Sequence, residues 1–383
     1  MKFIHIADCH LDAKFDNLIG KENLSQKRRI EQREVFTKAI EYAKNNDIDY
    51  IFISGDLYEE GLINLSTIEY INDLFKAIPN IKIIITPGNH DPYIKQSVYD
   101  TYNFSDNVYV FDKYEVIKKE YDDVNIYGFA FNSFFEESIN FEGIELDKSK
   151  LNILVMHGDL NASQEQEHKF NPVQERLLQE LGFDYIAMGH IHKNNYDEGK
   201  TILYPGSLAS LGFDEPDLHG MIVGEFSGKS LSTKFVPLDT REFKQLELDV
   251  KNVLDENDLI YKINELVQND IEKTKQELEK SVSYTSFNYD FSYLDISKYI
   301  VMYEVYLVGN RTFDIDLKRI NILIDNDNII KIKDKTEMGF DLKKISKEST
   351  LRGLFVKKVL EKQDDYSKEE IDKALEIGLN LMK

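Results

Sequence analysis

The sequence predicts an α/β fold whose strands deliver polar side chains at their carboxyl ends, and two observations predict it. First, residues 1–85 alternate β-branched runs with amphipathic stretches: strand over 2–7, helix over 26–45, strand over 49–54, helix over 65–77, strand over 81–85. That order is a βαβαβ unit, so these strands are expected to be parallel. Second, five apolar runs end alike. "KFIHIADCH" ends in Asp8 and His10, "DYIFISGD" in Asp56, "IIITPGNHD" in Asn89, His90 and Asp91, "LNILVMHGD" in His157, and "DYIAMGHIH" in His190 and His192. Open α/β sheets build their active sites at the carboxyl ends of strands.

Each element has its own warrant. Residues 81–85 have the β-branched density of a buried strand, and Pro87-Gly88 punctuates its end. Within 26–45, Ile30, Val35, Phe36, Ala39, Ile40 and Ala43 fall near helical spacing with charge between them. The stripe of 65–77 is Ile68, Ile71, Leu74 and Phe75. Short apolar pieces at 108–111, 114–118 and 124–131 suggest a meander at the sheet edge, while 134–150 fits no single pattern. Residues 151–156 form a further buried strand. Asn171 is expected to cap the next helix, with Pro172 as its first residue and Gly182 closing it. After the strand at 184–188, "TILYPGSLAS" reads as strand into glycine turn, and "GMIVGEF" with "STKFVPL" as a hairpin completing the sheet.

Around Pro237 to Glu242 the pattern changes. A charged helix over 256–281, a strand over 299–307 and the strand candidates "KRINILI" and "NIIKIKD" indicate a small α+β domain. Near the end, Ser367 and Glu370 form a capping box, and Ile371, Ala374, Leu375, Gly378, Leu379 and Met382 line one helical face. Such a face must be buried on its own domain or on another protein. The expected domains are 1–240, 241–340 and 341–383.

Bulk properties narrow the function classes. No 18-residue apolar run occurs and residue 2 already begins a strand, so neither a membrane span nor a signal peptide is expected. The single cysteine, Cys9, excludes an internal disulfide and fits a reducing cytoplasm. A net charge of −22 argues against a coat of basic surface. Summed charge governs long-range attraction and not what one groove can bind. A nucleic-acid ligand would have to be met locally, with help from bound cations and from a partner.

Of eight histidines, six lie in or beside the five strand ends. His5 sits inside the first strand, where a satisfied core role is expected; His168 and His219 fall in loops and are expected to have no direct role. Oxygen and imidazole donors without thiolates suit Mn²⁺, Fe²⁺ or Zn²⁺, whereas Mg²⁺ prefers all-oxygen sites. Cys9 is expected to turn away while Asp8 and His10 turn inward. The donors exceed one coordination shell. A shared carboxylate would hold two ions about 3.5–4 Å apart, the arrangement used in phosphoryl hydrolysis.

"DCH" at 8–10, "GD" at 55–56, "GNHD" at 88–91, His157 and "GHIH" at 189–192 together resemble the motif set of calcineurin-like metallophosphoesterases. The order, with "YPGS" at 204–207 and Phe213/Glu215 of "LGFDEP", is similar to the DNA-repair nuclease branch, SbcD-like and YhaO-like. The resemblance covers about residues 1–238 and implies a four-layer α/β/β/α sandwich of mixed sheets, a smaller capping domain and carboxyl-terminal helices. It further implies that Asp8, His10, Asp56 and His192 hold one manganese, that Asp56, Asn89, His157 and His190 hold the other, and that Asp56 bridges. By the same resemblance His90 protonates the leaving 3′ oxygen without binding metal, and Asp91 either serves structure or orients His90. Implied partners are DNA, a second copy of the chain and a coiled-coil ATPase of the SbcC type. One departure stands out: archaeal relatives carry a histidine shortly after the second motif, where this chain has Glu59 in "GDLYEEG".

The leading expectation is therefore a manganese-dependent DNA nuclease, 3′–5′ exonuclease and single-strand endonuclease, working with an ATPase in DNA repair. A phosphodiesterase or phosphatase of small nucleotides, lipids or phosphoproteins is the alternative enzyme. A non-catalytic scaffold for the ATPase is the alternative from another class.

Overall fold

Period-two alternation along the strands builds the layers of the first unit. The structure, a computed structural model, describes residues 1–15, 24–135, 137–161, 170–283, 288–311, 313–340, 342–363 and 365–382; His168 lies outside them. By contacts the chain divides into two units, one of 1–244 with 273–302 and one of 245–272 with 303–383. In the first, β1 (Lys2–Ile6), α1 (Leu24–Asn45), β2 (Tyr50–Ile53), α2 (Leu65–Lys76) and β3 (Lys82–Ile85) follow the expected order, and β1, β2 and β3 are parallel neighbours. Ile4, Ile6, Ile51, Ile53, Ile83 and Ile85 face the buried stripes of α1 and α2. Phe3, Tyr50, Phe52 and Ile84 face the other way, toward a second sheet.

The chain continues through α3 (Val98–Thr101), β4 (Val108–Val110), β5 (Ile117–Glu120), β6 (Val124–Gly128), β7 (Leu151–His157), α4 (Glu175–Leu181), β8 (Tyr185–Gly189), β9 (Ile202–Leu203), β10 (Gly220–Ser227) and β11 (Ser230–Pro237). The first sheet runs β11-β10-β1-β2-β3-β4 and the second β5-β6-β7-β8-β9. Here the expected edge meander is corrected. β4 pairs parallel with β3, and the Phe111 N–H prolongs that ladder to the Ile85 carbonyl at 3.0 Å, whereas β5 and β6 pair antiparallel and open the second sheet. In β7 and β8, Ile153, Val155, Tyr185 and Ala187 meet the first sheet, while Leu154, Met156, Ile186 and Met188 meet α4. Helix, sheet, sheet, helix is the resulting order: a mixed α/β sandwich with stacked sheets. The hairpin β10–β11 completes the first sheet antiparallel to β1, as expected.

One expected cap is absent. α4 begins at Glu175 behind Gln174, because Asn171 is committed elsewhere. Its φ is +51°, its side-chain oxygen accepts from the Ile139 N–H at 2.8 Å, and its amide donates to the His157 carbonyl at 2.9 Å. Gly182 does close the helix, with φ +77°.

Along the rest of the chain lie β12 (Arg241–Asp249), α5 (Glu256–Ser283), β13 (Ile300–Val308), β14 (Asn310–Arg311), α6 (Leu317–Leu323), β15 (Ile329–Asp334), β16 (Glu337–Met338), α7 (Leu342–Ile345), α8 (Leu351–Leu360) and α9 (Lys368–Asn380). The second unit holds the three-stranded order β12-β13-β15. "KRINILI" is a helix, not the expected strand: Asp316 accepts from the N–H groups of Lys318 and Arg319, and this cap overrides the β-branched propensity. Ser367 and Glu370 form the expected capping box of α9. The buried Ile371, Leu375 and Leu379 pack with Val356 and Ile345 of α8 and α7, so much of the stripe is covered by the chain's own helices. Among the described residues no helix is long and apolar enough to cross a membrane.

Candidate metal centre

Loops at the ends of β1, β2, β3, β7 and β8 converge at one edge of the two sheets. Main-chain hydrogen bonds hold the first two together: Asp8 N–H to Gly55 O at 3.1 Å and His10 N–H to Asp56 O at 2.9 Å. Asp8, His10 and Asp56 adopt φ of +49°, +43° and +53°, and His190 +107°. Left-handed backbone at four non-glycine positions of one site is local strain that the surrounding sheets sustain. Glycine is required beside these side chains. A Cβ on Gly189 would lie 1.7 Å from the Ser54 carbonyl oxygen, and one on Gly55 2.2 Å from His157 Nδ1. These two glycines let the ends of the sheets close on each other.

Three groups of donor atoms result, each within 4.8 Å: Asp8, His10 and His192; Asp56, His157 and His190; and His10, Asp56 and His90. Asn89 joins the second group, its Oδ1 2.9 Å from His157 Nε2 and 3.2 Å from His190 Nδ1. Asp56 lies between the first two, its Oδ2 3.7 Å from His10 Nε2 and 3.3 Å from His157 Nε2. All the residues expected as ligands are thus brought together. Cys9 is buried and its thiol meets the Ala7 carbonyl, away from the donors.

The chemistry of these donors fits divalent ions. His10 Nδ1 meets Glu59 Oε1 at 2.7 Å, His192 Nδ1 meets Glu215 Oε1 at 2.5 Å, and His157 Nδ1 meets the Ser54 carbonyl at 2.8 Å. Each outer nitrogen faces an acceptor and so carries the proton, which leaves Nε2 with its lone pair. Yet His10 Nε2 and His192 Nε2 face each other at 3.0 Å, and His157 Nε2 faces the Asn89 oxygen. Lone pairs converging in a buried pocket repel unless positive charge lies among them. Protons feel the same demand. Burial would lower His157, but Asp56 beside it pushes it up to about 9. Burial likewise opposes His192, but its bond to Glu215 and the charge of Asp8 push it up to about 9. Glu215 and Glu59, although burial raises both, are drawn down to about 2 by their histidine partners.

His90 differs from the other donors in its exposure. Its side chain is 45% exposed, against 0–1% for Asp56, His10 and His157, and its Nδ1 meets the second oxygen of Glu59 at 3.0 Å. Glu59 therefore joins a buried donor to an exposed imidazole. Burial would lower the His90 pKa, but Glu59 and Asp56 raise it above the ordinary value. The His90 imidazole thus stands at the mouth of the donor cluster with a carboxylate against its Nδ1. Asp91, expected either to serve structure or to orient His90, turns toward main-chain donors. Its carboxylate accepts from the N–H groups of Asp56, Leu57 and Gly88 and from the Tyr99 hydroxyl, all within 2.9 Å, and is buried. Burial and the charge of Asp56 push it up to about 7, against these donors. Asp91 thus holds the β2 and β3 loops in register.

Among the described residues two histidines lie away from the donor groups. His5 is buried between the Tyr185 hydroxyl at 2.9 Å and the Met188 carbonyl at 3.1 Å, and burial lowers its pKa to about 3. His219 braces the loop of Glu215 through Ser207 and the Glu215 carbonyl. Asp159 adds a contact that the motifs do not point to: its Oδ1 lies 3.3 Å from His190 Nε2, and its only signal in the sequence is a place two residues after His157. Glu59 and Glu215 stand out in the sequence by resemblance, but not as partners of histidines.

A stacked α/β sandwich with two oxygen–imidazole donor sets sharing one carboxylate defines a scaffold for metal-dependent phosphoester hydrolysis. Residues 1–194 match the calcineurin-like phosphoesterase family, and the chain belongs to it. Among its relatives is the SbcD subunit of the nuclease SbcCD from Staphylococcus saprophyticus, 26% identical over 336 residues, which cover 76% of this chain and 86% of that protein. The protein of the same name from Staphylococcus epidermidis is 26% identical over 296 residues, 67% of this chain and 75% of the relative. The uncharacterized metallophosphoesterase YhaO of Bacillus subtilis is 25% identical over 249 residues, 61% of this chain and 60% of that protein.

Proposed function

We propose that the chain is a manganese-dependent DNA nuclease, a 3′–5′ exonuclease and single-strand endonuclease, and the hydrolytic subunit of a DNA-repair complex with an SbcC-like coiled-coil ATPase. The observation that carries this reading is the reach of the similarity. It covers 76% of this chain in the staphylococcal nuclease subunit, whereas the phosphoesterase family accounts for residues 1–194. A phosphodiesterase of small molecules would need to share only the latter. A homodimer placing two centres on one DNA, in the cytoplasm, belongs to the same proposal.

Asp8, His10, Asp56 and His192 would hold one ion, and Asp56, Asn89, His157 and His190 the other. Two such ions supply charge neutralisation at the phosphoryl oxygens and an acidified water. The chain's own residues do the rest. His90, whose pKa Glu59 and Asp56 raise against burial, gives its proton to the leaving 3′ oxygen. Asp91 holds the loops of Asp56 and His90 in one register, and Glu215 and Glu59 keep His192 and His10 from turning.

End-labelled single-stranded DNA incubated with Mn²⁺ tests the proposal, alongside a generic phosphodiester. Shortening from the 3′ end, lost in Asp56→Asn, is expected. Turnover of the generic ester with intact DNA would overturn the nuclease in favour of a small-substrate phosphodiesterase.

A further inference from the structure

The buried stripe of α1 changes character along the helix. Toward the carboxyl end it is apolar, with Val35, Phe36, Ala39, Ile40 and Ala43, but nearer the start it buries Arg28 and Gln32. These two are 0% and 2% exposed and lie one turn apart on the same face. Each grips a loop that carries a donor of the metal centre. The Gln32 amide donates to the Cys9 and His10 carbonyls, both at 3.2 Å. The Arg28 guanidinium donates twice to the Ser210 carbonyl, from Nε at 3.1 Å and from Nη2 at 2.8 Å. From Ser210 the bonds run on to His192. The Ser210 hydroxyl donates to the Glu215 carbonyl at 3.0 Å, the Leu211 N–H donates to Glu215 Oε2 at 2.9 Å, and Glu215 Oε1 meets His192 Nδ1.

A buried glutamine costs desolvation that a leucine at the same place would not. What it holds explains its presence. The loop after β1 is strained, with φ of +49° at Asp8, +43° at His10 and +68° at Asp12, and such backbone persists only where its neighbours over-determine it. Arg33, next along α1, takes Asp12 Oδ1 at 2.7 Å, so the helix holds this loop at successive points. His10 and His192 in turn face each other through Nε2 at 3.0 Å and form one donor group with Asp8. We propose that Gln32 and Arg28 are positioning residues for the ion of that group: α1 spans the two loops and fixes how His10 stands against His192. Among the described residues, the apolar cluster behind His157 and His190 includes none from α1, which confines the effect to one ion. This rests on the two-ion reading of the centre and deepens it by giving the ions unequal support from the fold.

Mn²⁺ titration followed by calorimetry and electron paramagnetic resonance tests it in two variants. Gln32→Met keeps the length of the side chain but cannot donate. Arg28→Lys keeps the charge beside Asp239 but loses the fork onto the Ser210 carbonyl. His192→Ala and His157→Ala serve as references for losing one ion or the other. In each test variant one ion is expected to bind about 10- to 100-fold more weakly, and the other as before. At the Mn²⁺ concentration that fills the unmodified protein, the spectrum then changes from that of a coupled pair to that of a lone ion and matches His192→Ala. Equal weakening of both ions, or a match to His157→Ala, overturns the proposal. So does a lower melting temperature of the metal-free protein with both affinities unchanged, which would make the two residues ordinary core. If the unmodified protein binds a single ion, the two-ion reading falls and the residues are judged on that ion: weakening by the same factor supports them, and unchanged affinity overturns them. Should Gln32→Met fail to fold, Arg28→Lys decides alone.

Discussion

The two halves of the centre are built from the same donors but braced differently. In the half of Asp8, His10 and His192, both outer imidazole nitrogens lean on carboxylates, Glu59 at 2.7 Å and Glu215 at 2.5 Å. In the half of Asn89, His157 and His190, His157 leans on a main-chain carbonyl at 2.8 Å and His190 on Asp159 at 3.3 Å. A carboxylate partner makes an imidazole a stronger donor and adds negative charge, whereas a carbonyl fixes only its orientation. The difference extends outward. The Glu215 loop is tied to α1 by buried ions: Arg28 pairs with Asp239 and donates to the Ser210 carbonyl at 2.8 Å, and Arg241 pairs with Glu31 at 2.5 Å. Behind His157 and His190 lies an apolar core of Phe129, Phe131, Met156 and Met188. One half rests on two close carboxylates and an ion network, the other on a carbonyl, one longer carboxylate contact and packing.

The largest expected effect removes what the halves share. Asp56→Asn should abolish measurable hydrolysis and weaken both ions together, with circular dichroism unchanged. Calorimetry that finds one ion still tightly bound would mean the halves are independent and Asp56 belongs to one of them.

Next in size is the ionic support of the first half. Arg28 is fully buried, so Arg28→Met leaves Asp239 without its main partner and should cost about 3–5 kcal/mol of stability in denaturant unfolding. Its pH signature has a definite sign. Burial raises the Asp239 and Glu31 carboxyls, but Arg28 beside Asp239 and Arg241 beside Glu31 outweigh it and hold both below the ordinary range. Groups depressed on folding contribute stability that is complete above about pH 4 and is lost as pH falls through their folded values. Stability should therefore drop on acidification below that point, and more shallowly in Arg28→Met. An identical acid limb in both proteins would remove the cluster from the account.

Braces should matter less than ligands or foundations, and unequally. Glu215→Gln should cost roughly 10- to 100-fold in metal affinity or hydrolysis, since it strips charge from His192. Asp159→Asn, across the longer contact to His190, should fall at or below the lower end of that range. Equal losses in manganese titrations of the two variants would erase the distinction between the halves.

These braces also mark where the sequence stops being legible. The polar strand ends can be read because each is a local signal, an apolar run closed by polar residues, whereas the stacked-sheet sandwich is implied only by the resemblance of the whole motif set. Partners such as His192 and Glu215, or His10 and Glu59, are set by how loops meet across the sheets. The acid three residues after "GD", Glu59, and the acid that closes "HGD", Asp159, look like any loop acids until the strands are placed. Asn171 and "KRINILI" mislead for the converse reason. The first is a good cap spent on joining two loops, and the second is a β-branched run overruled by the cap at Asp316.

The smallest effect on the centre should come from the carboxyl terminus, and its test bears on the partner and not on the ions. The amphipathic pattern of α9 says that a face is buried but not against what. Ile371, Leu375 and Leu379 are buried with Val356 and Ile345, so the inner face belongs to the fold. Leu351, Leu354, Ile377 and Leu381 remain 54–81% exposed. Deleting residues 345–383 removes both sets and so confounds core with surface. Changing Leu351, Leu354, Ile377 and Leu381 to serine spares the core and alters only what water sees. If these side chains meet the ATPase, the fourfold variant should keep its melting temperature, its two ions and its cleavage of short single strands, while co-purification with an SbcC-like ATPase is lost. Retained co-purification would move the docking surface elsewhere on the chain. A fall in melting temperature would show that the outward residues are themselves part of the fold, and that α8 and α9 serve this chain before any partner.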